Sequence, residues 1–429
     1  VTKIVDIINS NRNDVKVGIY SVCCAQPLII EAAIKQAQKN NSVVLIEATA
    51  NQVNQFGGYT SMKPADYVTF ITSIAEKLNF PMEKVILGGD HLGPVCWVTE
   101  TAQQAMEKSK TLIKSYVAAG FKKIHLDTSM PCADDEPALT DEIIAERAAI
   151  LCEIAEKTAI ETFGQSDILY VIGTEVPPPG GATEEITSLE VTPKENVAKT
   201  YDIHLAAFEA KALTDAWQRV IGIVVQPGVE FDHTSIIDYN AKKAQSLSQF
   251  IKTVPNIVFE AHSTDYQKPS AYKALVADHF AILKVGPQLT FAMREALFAL
   301  SFIEQAYIEP ERQANLMAVF EAEMQENPGY WQKFYQVAPE KEMFYRQYSY
   351  SDRIRYYWNT VRVEQAVQVL LENLTKNAIP LPLISQFLPE QYQALREGEI
   401  QNCPHDLVVH KIMQVTEVYA NACNQQSPL

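Results

Sequence analysis

Eight short apolar runs, at residues 17–22, 43–48, 84–89, 122–127, 169–175, 219–226, 256–261 and 280–285, set the strongest limit on the fold. The stretches between them include 27–40, 64–78, 101–119 and 141–158, which read as amphipathic helices. Apolar runs alternating with helical text are the sequence form of parallel strands covered on both faces. Eight strands with eight crossovers predict an α/β fold of the (β/α)8 TIM-barrel type. An open doubly wound sheet is the competing fold. It lacks support because Tyr20, Ser21, Val22, Cys23, Cys24 and Ala25 stand where the glycines of a dinucleotide fingerprint are needed.

A polar or reactive residue sits at the end of each run: Cys23, Glu47, Asp90 with His91, Asp127, Glu175, Gln226, His262 and Lys284. In a barrel of this type the strand ends converge on one face, where catalytic residues come from several strands. A carboxylate ending a Val/Ile/Leu run is costly to bury without a partner. The recurrence therefore points to one polar mouth rather than to isolated loop caps.

At 429 residues the chain exceeds a typical barrel, which takes roughly 250 residues. We expect the barrel over residues 1–300 and a helical C-terminal extension packed on it over 301–429. From about residue 302 the alternation stops and the text turns helical and aromatic, as at Tyr330, Trp331, Tyr345, Tyr356, Tyr357 and Trp358. The segment 351–358, with two arginines beside large rings, reads either as part of a packed cap or as a partner surface.

The formal net charge of −16 is dispersed along the chain and argues against a nucleic-acid surface, which needs basic stripes. No apolar span calls for a membrane. Seven cysteines without a metal-binding CxxC pair lead us to expect reduced thiols in the cytoplasm. No P-loop is present, so a nucleotide cofactor and kinase chemistry lack their clearest signal.

Two imidazoles and a carboxylate, His91, His262 and Glu175, form a plausible set of ligands for zinc, manganese or another divalent ion. Asp90 is then the proton-transfer group, and Gln226 a weak further ligand. Asp127 could orient a ligand from behind or hold substrate hydroxyls. Glu47 either contacts a ligand or braces the mouth. His125, two residues before Asp127, points the same way one layer deeper and reads as a satisfied core residue. His233 replaces a missing third imidazole only if its loop folds inward. Phosphate groups on this fold usually meet backbone amides after strands seven and eight. Ser263, Thr264, Asp265 and Gly286 occupy those places, and Lys284 offers a phosphate or structural contact before a Schiff base.

With these residues in hand, the chain closely resembles the Z-type subunit family of bacterial D-tagatose-1,6-bisphosphate aldolase, whose members were once labelled tagatose 6-phosphate kinases. The resemblance runs through 46–58 (IEATANQVNQFGG), 87–93 (LGGDHLG), 123–129 (KIHLDTS), 172–177 (IGTEVP), 225–233 (VQPGVEFDH), 260–267 (EAHSTDYQ) and 351–358 (SDRIRYYW). It implies a non-catalytic subunit that supports a separate catalytic Y-type aldolase subunit in galactitol or amino-galactose catabolism. It also implies the metal-dependent, class II aldolase barrel, in which Asp90 and His91 match the catalytic Asp and a metal His, Glu175 the strand-five Glu, and His262 the last metal His. Gln226 stands where that class has another metal His, and Gly286 where its Lys-x-Asn phosphate motif has Asn. Little aldolase activity is expected of the chain alone. The alternative is a metal-dependent 4-epimerase that interconverts tagatose 6-phosphate and fructose 6-phosphate through retro-aldol cleavage and re-addition. Association with copies of itself is left open by the sequence.

Overall fold

The computed structural model describes residues 2–173 and 189–424. Eight parallel strands close into a barrel in chain order. They are β1 (Ile19–Cys23), β2 (Val44–Thr49), β3 (Val85–Leu92), β4 (Lys123–Leu126), β5 (Leu169–Ile172), β6 (Val220–Val224), β7 (Val258–Ala261) and β8 (Phe280–Val285). Closure is made by β8 pairing with β1, Ile19 opposite Ile282 and Val22 opposite Val285. The expected barrel is therefore the observed fold. Strands buried on both faces need apolar residues at nearly every position, as in β8, where all residues are buried.

Helices follow the strands with readable boundaries. Pro27–Asn40 opens on a proline, which suits the first turn, and stops where Asn41 turns left-handed at φ 51°. Ala102–Ala118 is capped by Thr101, whose hydroxyl accepts from the Gln104 amide.

The barrel interior is layered. At its N-terminal end Ile19, Leu45, Ile86, Leu169, Val258 and Ile282 form an apolar layer, and the helix Thr2–Arg12 adds Ile4, Ile7 and Ile8 to the same cluster, closing that end. Two residues further along the strands the interior positions turn ionic: Glu47, Lys123, Glu260 and Lys284. The mouth lies above them.

The boundary expected after residue 300 falls inside one helix, Pro287–Tyr307. The last helix, Pro404–Ala422, packs against Pro27–Asn40 and Pro287–Tyr307. One hydrophobic cluster runs from Val22 and Ile46 of the barrel through Leu297 to Trp358, Leu370, Ile412 and Tyr419. The last helix is tied to the start of the barrel: the Gly18 amide donates to the Cys423 carbonyl at 3.1 Å. No helix among the described residues is long and apolar enough to cross a membrane.

Candidate active site

The Asp90-His91 pair lies inside β3 rather than after it. Pairing with β4 slips between Gly89 and Leu92, and His91 takes the left-handed φ of 49°. This bulge lets two consecutive residues face the same mouth, which a regular strand forbids. The glycines around the pair have steric causes. A Cβ on Gly88 would stand 2.7 Å from Glu47 Cγ, and one on Gly93 would stand 1.7 Å from the Asp127 carbonyl oxygen. Glycine is needed at both for close approach.

Two imidazoles are held in the same manner. His91 Nδ1 lies 2.6 Å from Asp127 Oδ2, and His262 Nε2 lies 2.9 Å from Glu260 Oε1. The opposite nitrogens, His91 Nε2 and His262 Nδ1, are buried without a hydrogen-bond partner among the described residues. Their rings stand edge to face with centroids 5.0 Å apart. A carboxylate behind each ring fixes which nitrogen faces outward, and on the neutral ring that nitrogen carries a lone pair, the arrangement of metal-binding histidines. Donor atoms of Asp90, His91, His125 and His262 lie within 4.8 Å of one another. The set fits a divalent cation.

His125 is differently engaged. Its Nε2 lies 3.0 Å from the Gly173 carbonyl oxygen, and its Nδ1 lies 3.0 Å from Asp90 Oδ1 and receives the His91 amide at 3.3 Å. His125 is thus a fully buried residue with both ring nitrogens satisfied, and from behind the mouth it positions Asp90 and the bulge.

Electrostatics separate the two histidines. Burial works against a charged His91, but Asp90 and Asp127 outweigh it and raise its pKa to about 9. For His262 burial wins, and its pKa falls to about 4. Burial also opposes the Asp127 charge, yet the His91 hydrogen bond holds its pKa down at about 2.

Beneath them lies a layer of paired charges. Lys123, fully buried, reaches Glu47 Oε1 and Glu260 Oε2 at 2.7 Å each. Lys284 contacts Glu47 directly, Asp90 Oδ1 at 3.0 Å and Glu260 Oε1 at 3.6 Å. Burial disfavours both ammonium groups, but the carboxylates dominate and raise both pKa values. Lys123 and Glu260 escaped sequence reasoning. The signal was present, since each stands two residues before a mouth histidine, His125 and His262, and so on the same strand face.

The remaining expected residues divide. Gly286 lines the mouth. Asp265 Oδ1 accepts from the amides of Gly286 at 3.1 Å and Gln288 at 2.8 Å, which caps the helix after β8. Burial pushes its pKa up to about 6. The Thr264 hydroxyl donates to the Lys284 carbonyl at 2.6 Å, and Ser263 is buried at φ 53°. Gln226 is engaged by its own loop. Its Oε1 accepts from the Gly228 and Val229 amides at 2.8 and 3.0 Å. His233 turns to the C-terminal region, 3.1 Å from both Ser351 Oγ and the Phe334 carbonyl oxygen. Glu175 lies outside the described residues.

Above the histidines is a cavity of about 110 Å³ whose outer wall includes Tyr59, Arg355 and Tyr356. The segment read as cap or partner surface thus reaches the barrel mouth. Asp352 anchors it there, accepting from the Thr290 hydroxyl at 2.5 Å.

Fold and centre together define a (β/α)8 barrel with a carboxylate-backed, two-histidine site at its C-terminal mouth. Residues 4–424 match the family described as D-tagatose-1,6-bisphosphate aldolase subunit GatZ/KbaZ-like, and the chain belongs to that family. Among solved structures it is similar to a protein from Sinorhizobium meliloti 1021 described as a probable tagatose 6 phosphate kinase. The two are 46% identical at a TM-score of 0.88, with 95% of this chain and 100% of that chain covered. A fructose-bisphosphate aldolase from Campylobacter jejuni is 15% identical at a TM-score of 0.47, over 86% of this chain and 91% of that chain. The YdjI aldolase from Escherichia coli K12 is 12% identical at a TM-score of 0.42, over 85% and 94%.

Proposed function

We propose that this chain is the supporting, non-catalytic subunit of a D-tagatose-1,6-bisphosphate aldolase. In this role it stabilises a separate catalytic Y-type subunit and raises its activity, in the cytoplasmic breakdown of tagatose 6-phosphate derived from galactitol or N-acetylgalactosamine. Membership of an aldolase-subunit family supports this reading. The observation that carries it is the count of available imidazoles. Two nitrogens are free to bind a metal, while the Gln226 amide is committed to its own loop and both nitrogens of His125 are engaged. A centre short of one imidazole holds and polarises less well than a full set. Co-expression with the Y-type subunit is expected to give comigration on size exclusion and a higher aldolase rate than that subunit alone. Separate elution with no gain in rate sinks the proposal.

A second reading is favoured by the two outward, carboxylate-backed nitrogens. In it the mouth binds zinc or manganese and a ketohexose phosphate and performs 4-epimerisation by carbon–carbon cleavage and re-addition. His91 and His262 would hold the ion, with Asp90 beside it. A bound ion supplies Lewis acidity toward a carbonyl oxygen. Asp90, between Lys284 Nζ and His125 Nδ1 at 3.0 Å each, is placed to hold or move a proton. Asp127 fixes the ring of His91. Incubating the chain alone with zinc or manganese and tagatose 6-phosphate or tagatose 1,6-bisphosphate separates the readings by NMR. An epimeric ketose phosphate establishes the second, triose phosphates reveal an aldolase despite Gln226, and unchanged spectra favour the supporting role.

A further inference from the structure

We infer that the aromatic groove between the helices Pro287–Tyr307, Pro339–Tyr348 and Leu381–Phe387 is where this chain receives the separate catalytic subunit, taking an uncharged apolar segment whose main-chain carbonyls accept from Arg294. The inference rests on the supporting-subunit reading and gives it a surface.

Arg294 carries the argument. It is only 3% exposed, yet its guanidinium makes no hydrogen bond among the described residues, and its Nε is buried without a partner. Asp352 is the carboxylate beside it, but Asp352 Oδ1 stands 3.8 Å from that Nε, beyond hydrogen-bond reach, and Oδ2 takes the Thr290 hydroxyl. A guanidinium has five donors, and leaving them buried and unmet is costly. Three rings hold the group in place: its central carbon lies 4.2 Å from the centre of Phe291 and 5.4 Å from those of Phe298 and Tyr348. Ring faces attract the cation but do not replace oxygen acceptors at its N–H edges. Arg294 lines a groove of about 790 Å³, through which such acceptors can arrive.

The charges around the groove select its occupant. Arg294 and Lys411 are set against Glu295 and Glu390 on the walls and Asp352 behind, and Lys411 is shared between the two glutamates at 3.7 and 3.5 Å. His233, also on the wall, has both ring nitrogens engaged. No positive charge is left over for an anion, so the acceptors that suit Arg294 are uncharged, as peptide carbonyls are. The rim is apolar: Phe302 stacks on Phe387 and Phe344 on Tyr348, with Phe344 48% exposed. Exposed aromatics around a buried arginine make the composition of an interface hot spot. Two of the three helices come from the region beyond the barrel, which a barrel alone does not carry.

Titration of the full chain against the purified Y-type subunit, by calorimetry and size exclusion, tests this. Phe344→Glu puts a charge on the rim and Arg294→Met removes the donors. Each is expected to weaken the complex about 10- to 100-fold. Val361→Glu, at an exposed apolar position outside the groove, should bind as wild type does. Should Arg294→Met fail to fold, the exposed Phe344→Glu decides. Folded groove variants that bind as tightly as wild type overturn the assignment and leave the supporting-subunit reading intact. A wild-type chain that self-associates, and that Phe344→Glu makes monomeric with no loss of affinity for the Y-type subunit, gives the groove to a second copy instead. A wild-type chain with no affinity for the Y-type subunit removes that reading, and this inference with it.

Discussion

At the scale of single residues, the centre depends on charges that do not touch solvent. Lys123 is fully buried between Glu47 and Glu260, and removing it leaves both carboxylates to share Lys284 in the barrel interior. Breaking a buried pair by deleting one partner typically costs about 3–5 kcal/mol. Lys123→Met should therefore lower the unfolding free energy by about that amount in urea, and a loss below about 1 kcal/mol would contradict the paired layer described above. Much of this chemistry was legible in the sequence. Asp90, His91, Asp127, His262 and Lys284 meet where strand ends were expected to converge. What escaped was one layer deeper. Lys123 and Glu260 lie within apolar runs, and nothing local says that two such runs from distant parts of the chain place opposite charges 2.7 Å apart.

At the scale of elements, the bulge in β3 shows how tertiary context overrides local text. The apolar run 84–89 predicted a strand that stops before Asp90, yet the strand continues to Leu92 because β2 still pairs Thr49 with Asp90 and β4 pairs Leu126 with Leu92 beyond the bulge. The helix Lys194–Ala210 buries His204, whose Nδ1 bonds the Thr200 carbonyl at 2.8 Å. Burial favours the neutral ring and lowers its pKa from 6.5 to about 4. The unfolded chain takes up this proton first as pH falls, so the contribution is whole above about pH 6.5 and lost on the way down to about 4. His204→Leu should therefore lose about 2 kcal/mol less stability than wild type between pH 7 and pH 5. Parallel losses in urea titrations of the two proteins would show that His204 is not the group responsible.

At the scale of the whole molecule, barrel and C-terminal region share one core. Leu407, Val408, Ile412 and Tyr419 of the last helix are buried against the barrel's outer helices. Each aliphatic side chain so buried contributes about 1.5–3 kcal/mol. A chain cut after residue 300 also splits Pro287–Tyr307. Such a fragment is expected to lack a cooperative thermal transition, whereas the full chain melts in one step. A fragment that melts cooperatively at a similar temperature would show the barrel to be self-sufficient.

The sequence by itself determined the barrel and the ring of reactive strand ends. Strand and helix periods, turn residues and apolar runs are local properties, and a closed parallel sheet is the compact way to bury eight such runs. Tertiary structure alone decided which nitrogen of each histidine is left open, that His125 holds Asp90 from behind the mouth, that the Gln226 oxygen is taken up by its own loop, and that Arg355 reaches the mouth from far along the chain. Those outcomes depend on distances between residues remote in sequence, set by register, by a one-residue bulge and by the packing of the C-terminal region. No local pattern encodes them.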